Sequence, residues 1–174
     1  MLRPGTVSAA RPGPRHVLFL CTGNSARSVM AEVLLNALGG GRYRAFSAGS
    51  RPAGAVNPFT IETLRRNGLA TSGLRSKSWD EFAAAGAPLD LVVTVCDNAA
   101  GETCPIWPGR PAKAHWSFPD PAAAQGTDEA KRAQFETVFK SIRRRIEAFC
   151  ALPAETMGAP GFERALSDLS GPRP

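Results

Sequence analysis

No apolar run in the 174-residue chain approaches the ~20 residues that a membrane-spanning helix needs. The longest apolar stretches are the VLFL before Cys21 and the LDLVVTV before Cys96. The opening MLRPGTVSAARPGPR carries arginines but no apolar centre of the signal-peptide kind. A flexible tail over residues 1–14 and a cytoplasmic location, without membrane contact, are therefore expected. No CxxC pair occurs among the four cysteines, and Cys96, Cys104 and His115 make a poor zinc set, so neither metal nor cofactor is expected. The phosphate loop ending in Gly-Lys-Ser is absent, as is any internal repeat. Aromatic residues are not interleaved with Arg143-Arg144-Arg145, which reads as the solvated face of a helix and not as a nucleic-acid contact.

What is present is an ordinary globular composition, 43% apolar and 21% charged, with a net charge of +6 that suits an anionic ligand without specifying one. Short apolar runs alternate with helical spacing. Strands are expected at His16–Leu20, Arg42–Ala48 and Leu89–Val95, with a further short one at Ala112–Trp116. Helices are expected from Val29 to Leu38, from Pro58 behind an Asn57 cap to near Asn67-Gly68, and around Ser76–Ala85. Phe135, Val138, Phe139, Ile142, Ile146 and Phe149 mark a long amphipathic helix, and a weaker helical patch covers Phe162–Leu169. Strands alternating with helices imply an α/β three-layer sandwich, a central parallel sheet of about four strands with helices on both faces. Ligands of such sheets bind beyond the carboxyl ends of the strands. Cys21 and Cys96 each follow a strand directly, so both are expected at that edge.

The loop Cys21-Thr22-Gly23-Asn24-Ser25-Ala26-Arg27-Ser28 lies between a strand and a helix. Gly and Asn tolerate the dihedrals that turn successive N–H groups inward, and such a nest holds a tetrahedral oxyanion. The helix that follows adds its positive end, and Arg27 offers a planar fork for two oxygens. The same surroundings are expected to lower the thiol pKa of Cys21 and set it for attack on the central atom, with the Ser28 hydroxyl hydrogen-bonding the thiolate. Thr22, Gly23, Asn24, Ser25, Ala26, Arg27 and Ser28 are the expected oxyanion-binding residues, and Cys21 and Arg27 the first catalytic ones. Two readings of Asp120-Pro121 stand on local sequence, a turn or the general acid that a departing oxygen requires; the oxyanion loop favours the acid. Cys150, Trp107 and Trp116 read as packing residues, and His16 and His115 receive no role.

The segment CTGNSARS, the MAE after it, the SAG at Ser47–Gly49 and Asp120-Pro121 together resemble the low-molecular-weight protein tyrosine phosphatase fold. Within that fold the chain is more similar to the thioredoxin-coupled arsenate reductases. TVCDNAAGETCP, with Cys96 and Cys104, resembles their redox loop, and AHWSFPDPA resembles the segment bearing their catalytic aspartate. The resemblance spans roughly residues 15 to 150, which implies a catalytic domain at 15–152 and a C-terminal extension at 153–174. It further implies that arsenate is attacked by Cys21 while Asp120 protonates the departing oxygen. Cys96 then attacks Cys21, arsenite leaves, and Cys104 draws the disulfide onto Cys96–Cys104. Thioredoxin, or glutaredoxin with glutathione, would reduce that bond, and the chain would act as a monomer on arsenate or phosphate.

The sequence departs from the resemblance at Ala26, a cysteine in some relatives. Some relatives also hold potassium near the positions of Asn24 and Ser47; the rest of that site is not identifiable here. The alternative activity is phosphomonoester hydrolysis through a phosphocysteine at Cys21. Against it, Ala122 and Ala123 follow Asp120-Pro121 where such phosphatases place aromatics, and Tyr43 is the one tyrosine. A non-catalytic oxyanion module would have lost the cysteine, arginine or acid, and all three are present. A redox switch that only pairs Cys21 with Cys96 is the remaining rival.

Overall fold

A computed structural model of the chain describes residues 13–84, 88–96, 105, 107, 109–153, 157 and 159–170. Cys104 and the stretch around it, and residues 1–12 of the expected tail, lie outside the described residues. Strand β1 (Arg15–Cys21) is buried from Val17 onward. A run of apolar residues without polar alternation has two faces to cover, which places it at the centre of a parallel sheet. Val17 and Phe19 point to one face and Leu18 and Leu20 to the other, because successive side chains of a strand alternate.

Helix α1 (Arg27–Leu38) returns the chain to β2 (Tyr43–Gly49), which pairs with β1 in parallel from Arg15↔Tyr43 to Cys21↔Gly49. Asn57 caps α2 (Pro58–Arg66) by accepting the Phe59 N–H at 2.9 Å, as expected from an Asn-Pro start. Strand β3 (Leu91–Thr94) lies on the other side of β1, and β4 (Ala112–His115) beyond it. The described sheet is thus four parallel strands in the order β2-β1-β3-β4. After a single-turn 3-10 helix (Pro121–Ala123), α4 (Asp128–Cys150) starts at Thr127, whose hydroxyl accepts the Ala130 N–H, and buries the six apolar residues read from its spacing.

The larger core lies between one sheet face and α1 and α4, where Trp116 sits between Phe19 and Phe149 at centroid distances of 6.1 and 5.9 Å. Helix α5 (Phe162–Ser170) adds Phe162 and Leu166 to that core. The opposite face is covered by Trp79, Trp107 and Phe82, the last on the short helix α3 (Asp80–Ala84). Among the described residues no helix is long and apolar enough to cross a membrane.

One element differs from expectation. Residues 76–78 are not the start of a helix but extended chain laid against the end of β2. The Gly49 N–H donates to the Lys77 carbonyl at 2.9 Å and the Trp79 N–H to the Gly49 carbonyl at 3.0 Å. Backbone groups at a sheet edge need partners, and this segment supplies them where β2 is otherwise uncovered.

Candidate active site

From β1 the chain crosses to β2 on one side, and from β3 to β4 on the other. The loops leaving β1 and β3 therefore part, and a parallel sheet opens its binding crevice at such a point. Cys21 closes β1, and Val95, whose N–H donates to the Leu20 carbonyl at 2.9 Å, brings Cys96 alongside it.

The loop after Cys21 is held by its carbonyl groups. That of Thr22 accepts from Arg51 N–H, that of Gly23 from Ala53 N–H, that of Ser25 from Asn57 N–H, and that of Ala26 from Met30 N–H, all at 2.9–3.0 Å. In a planar trans peptide the N–H points opposite to the C=O. The N–H groups of Gly23, Asn24, Ala26 and Arg27 are therefore turned away from these outer partners, into the concave side. N–H groups turned in this way can form an anion-binding nest. Asn24 takes the left-handed conformation that makes the turn, with φ 47°.

Close approach of chains makes the loop intolerant of bulk at Gly49. A Cβ there would lie 2.4 Å from the Thr22 carbonyl oxygen, 2.9 Å from that of Cys21 and 3.1 Å from Asn24 Cβ. Two of the three atoms are backbone and have no rotamer to yield. Gly49→Ala is expected to cost about 3 kcal/mol in a urea denaturation. It is also expected to weaken phosphate binding, because the loop is what must move.

Arg27, the first residue of α1, donates from Nη1 to the Phe118 carbonyl at 3.1 Å, and its Nη2 stands 3.7 Å from Asp120 Oδ2. Its Nε is buried with no partner, a donor left for a ligand. Asp120 Oδ1 accepts the Ala122 N–H at 3.0 Å, so the residue serves as the cap of the turn while its side chain is still 44% exposed at the mouth of the crevice. On this carboxylate one oxygen makes the turn and the other faces the arginine.

Cys21 and Cys96 are both buried and unbridged. Their thiols are hydrogen-bonded, and Thr22 Oγ1 lies 3.6 Å from Cys96 Sγ. The bond to Cys96 and then burial push the Cys21 thiol far above the usual thiol range, against Arg27 and the Thr22 N–H, which pull it down. The lowered pKa expected from the loop is therefore not found in this closed pair. The loop dipoles act as expected, but two adjacent thiols resist a charge on either. Ser28 is buried and its Oγ accepts from Asn24 Nδ2 at 2.8 Å. Cys150 is remote, and its thiol is pushed up by burial, consistent with a packing role.

Two further parts of the site were missed in the sequence. Ser76 donates from Oγ to the Gly23 carbonyl at 3.0 Å, and Lys77 N–H donates to Asn24 Oδ1 at 2.9 Å. No local motif marks them, since they reach the loop only through the pairing of residues 76–78 with β2. Glu32, read only as part of the MAE match, faces Ser47 Oγ at 3.3 Å and Lys77 Nζ at 3.9 Å.

A buried thiol, a nest of N–H groups and an arginine fork at the switch point of a parallel sheet suit covalent chemistry on tetrahedral oxyanions. Residues 16–158 match the low molecular weight phosphotyrosine protein phosphatase family, and the chain belongs to it. It is 41% identical over 133 residues to the arsenate reductase of Halalkalibacterium halodurans, an alignment covering 76% of this chain and 93% of that one. The solved arsenate reductase of Archaeoglobus fulgidus superposes with a TM-score of 0.62 at 29% identity, over 78% of this chain and 99% of that one. The thioredoxin-dependent arsenate reductase of Corynebacterium glutamicum superposes with a TM-score of 0.55 at 25% identity, over 79% of this chain and 64% of that one.

Proposed function

We propose that this chain reduces arsenate to arsenite with Cys21 as nucleophile, Asp120 as general acid and a relay of Cys21, Cys96 and Cys104. The observation that carries the reading is the meeting of two thiols from different strands at one oxyanion loop. A hydrolase needs one thiol there; a reductase needs a second, which forms a disulfide with the first as two electrons pass from sulfur to arsenic. The similarity to arsenate reductases over three quarters of the chain supports the same choice.

Arsenate binds to the N–H groups of residues 22–28 and to Arg27. Its negative charge exchanges for a proton on the thiol pair, and the Cys21 thiolate attacks arsenic while Asp120 protonates the oxygen that leaves as water. Cys96, deprotonated, attacks Cys21 Sγ. The S–S bond forms, the S–As bond breaks, and its electron pair stays on arsenic, which departs as arsenite. Cys104 then attacks Cys96, leaving a Cys96–Cys104 disulfide and a free Cys21. An external thiol system, thioredoxin or glutaredoxin with glutathione, supplies the two electrons that reset the enzyme. Residues 15–152 form the catalytic unit, flanked by the tail at 1–14 and the extension at 153–174, and the chain acts as a cytoplasmic monomer.

The deciding assay follows arsenite release with thioredoxin, thioredoxin reductase and NADPH, and in parallel with glutathione and glutaredoxin. Repeated turnovers with either system are expected, with slower hydrolysis of p-nitrophenyl phosphate. Brisk hydrolysis with no arsenite from either system overturns the reductase reading in favour of a phosphatase.

A further inference from the structure

Behind the nucleophile loop runs a circuit of three polar contacts closed by one turn of helix. Asn24, fully buried and left-handed, donates from Nδ2 to Ser28 Oγ at 2.8 Å and accepts at Oδ1 from Lys77 N–H at 2.9 Å. Ser28 and Glu32 stand one turn apart on α1, so they share a face. Lys77 closes the circuit with its other end. Its Nζ donates to the Arg75 carbonyl at 3.1 Å and lies 3.9 Å from Glu32 Oε1, the two side chains being 9% and 14% exposed.

Charge alone gives little reason to keep such a pair. Burial pushes the Glu32 carboxyl up and the Lys77 ammonium down, and each is restored mainly by the other. The remaining charges that act on Lys77 are Arg75 and Glu81, which pair with each other at 3.0 Å on the surface. Removal of one partner of such a buried pair leaves the other stranded as an uncompensated charge.

The same cluster tests the potassium site that the sequence resemblance suggests. Ser47 is turned to Glu32, Asn24 is bound to Lys77, and the Glu32 carboxylate already faces an ammonium group. A potassium ion on that carboxylate would meet like charge at short range, so these residues do not fit a resident ion.

We propose that Lys77 is a positioning residue, a tethered monovalent cation that neutralises Glu32 and so holds Asn24, Ser28 and the nucleophile loop in the shape that receives an oxyanion. The inference rests on the oxyanion-site reading of the loop and is independent of arsenate as substrate. The effect of the ammonium passes through Glu32, α1 and the Lys77 backbone.

The test uses the reduced full-length chain and reads the concentration of inorganic phosphate that protects Cys21 from iodoacetamide, followed by peptide mass spectrometry. Wild type, Lys77→Ala and the double variant Lys77→Met/Glu32→Gln are compared at constant ionic strength in tetramethylammonium, potassium or ammonium chloride. Wild type is expected to respond equally in all three salts. Lys77→Ala is expected to need about tenfold more phosphate in tetramethylammonium, the scale of a misplaced binding group. It should recover at least half of that loss in potassium or ammonium, which can enter the space beside Glu32 where the larger cation cannot. The double variant, with both charges gone, should bind within about threefold of wild type in every salt. Protection by Lys77→Ala equal to wild type overturns the proposal. So does a loss that neither small cation relieves, or a double variant as impaired as the single one. If Lys77→Ala does not fold, Lys77→Gln takes its place in the same three salts, with the same expected and overturning results. Since no arsenate turns over in this assay, its result stands whether or not the chain proves to be a reductase.

Discussion

Cys96→Ser is expected to release no arsenite above background over repeated turnovers, while p-nitrophenyl phosphate hydrolysis survives. Serine keeps the size of the side chain and a hydroxyl able to reach Thr22 Oγ1, where the thiol lies at 3.6 Å. It cannot form an S–S bond, so the adduct on Cys21 has no partner to displace arsenite, and the loss in turnover is expected to exceed about a thousandfold. The sign of a second effect is opposite. Hydrogen bonding to Cys96 is the largest influence raising the Cys21 pKa, and its charge adds to it. With the second thiol gone, only burial opposes Arg27 and the Thr22 N–H. The Cys21 pKa should fall, and at neutral pH its alkylation and its attack on a phosphate ester should quicken relative to wild type. Arsenite assays and pH-dependent alkylation with iodoacetamide check both effects on one preparation. Undiminished arsenite release by Cys96→Ser would remove Cys96 from the mechanism.

Arg27→Ala is expected to lower both activities by about a thousandfold, as for loss of a principal donor to the oxyanion with its charge. Three nitrogens of the side chain have separate tasks. Nη1 ties the Phe118 carbonyl, Nη2 faces Asp120, and the unpaired Nε remains for ligand. Loss of the guanidinium therefore removes a substrate contact and also releases the segment bearing the acid. Arg27→Lys should be nearly as impaired, since a single ammonium cannot hold a carbonyl, a carboxylate and an oxyanion together. Thermal unfolding separates this from a folding defect. Phosphate should raise the melting temperature of wild type and leave that of Arg27→Ala unchanged, because a ligand stabilises only the state it binds.

The parts of the site that can be read in the sequence are those whose physics is local. The Cys21–Ser28 loop is recognisable because strand, nest and helix follow one another within a short span, and an Asn able to adopt φ 47° stands where the turn needs it. The α4 core face is recognisable because its six buried residues repeat at helical spacing. Residues 76–78 are not, since Ser-Lys-Ser has no strand pattern of its own and takes its extended form from Gly49 in another part of the chain. Cys104, expected as the last thiol of the relay, lies outside the described residues.

By itself, then, the sequence determined an alternating α/β chain, a thiol and a nest-forming loop at the end of its first strand, and a second thiol after another strand. Each follows from periodicity, dihedral preference or the position of a residue relative to its own element. Tertiary structure alone decided that β3 lies beside β1, which brings Cys96 onto Cys21 and raises the Cys21 pKa instead of lowering it. It alone decided that Lys77 and Glu32 meet behind Asn24. These outcomes depend on strand order and on burial of charges against each other. Electrostatic interaction is set by distance and by the solvent excluded between groups, and neither quantity exists until the chain has packed.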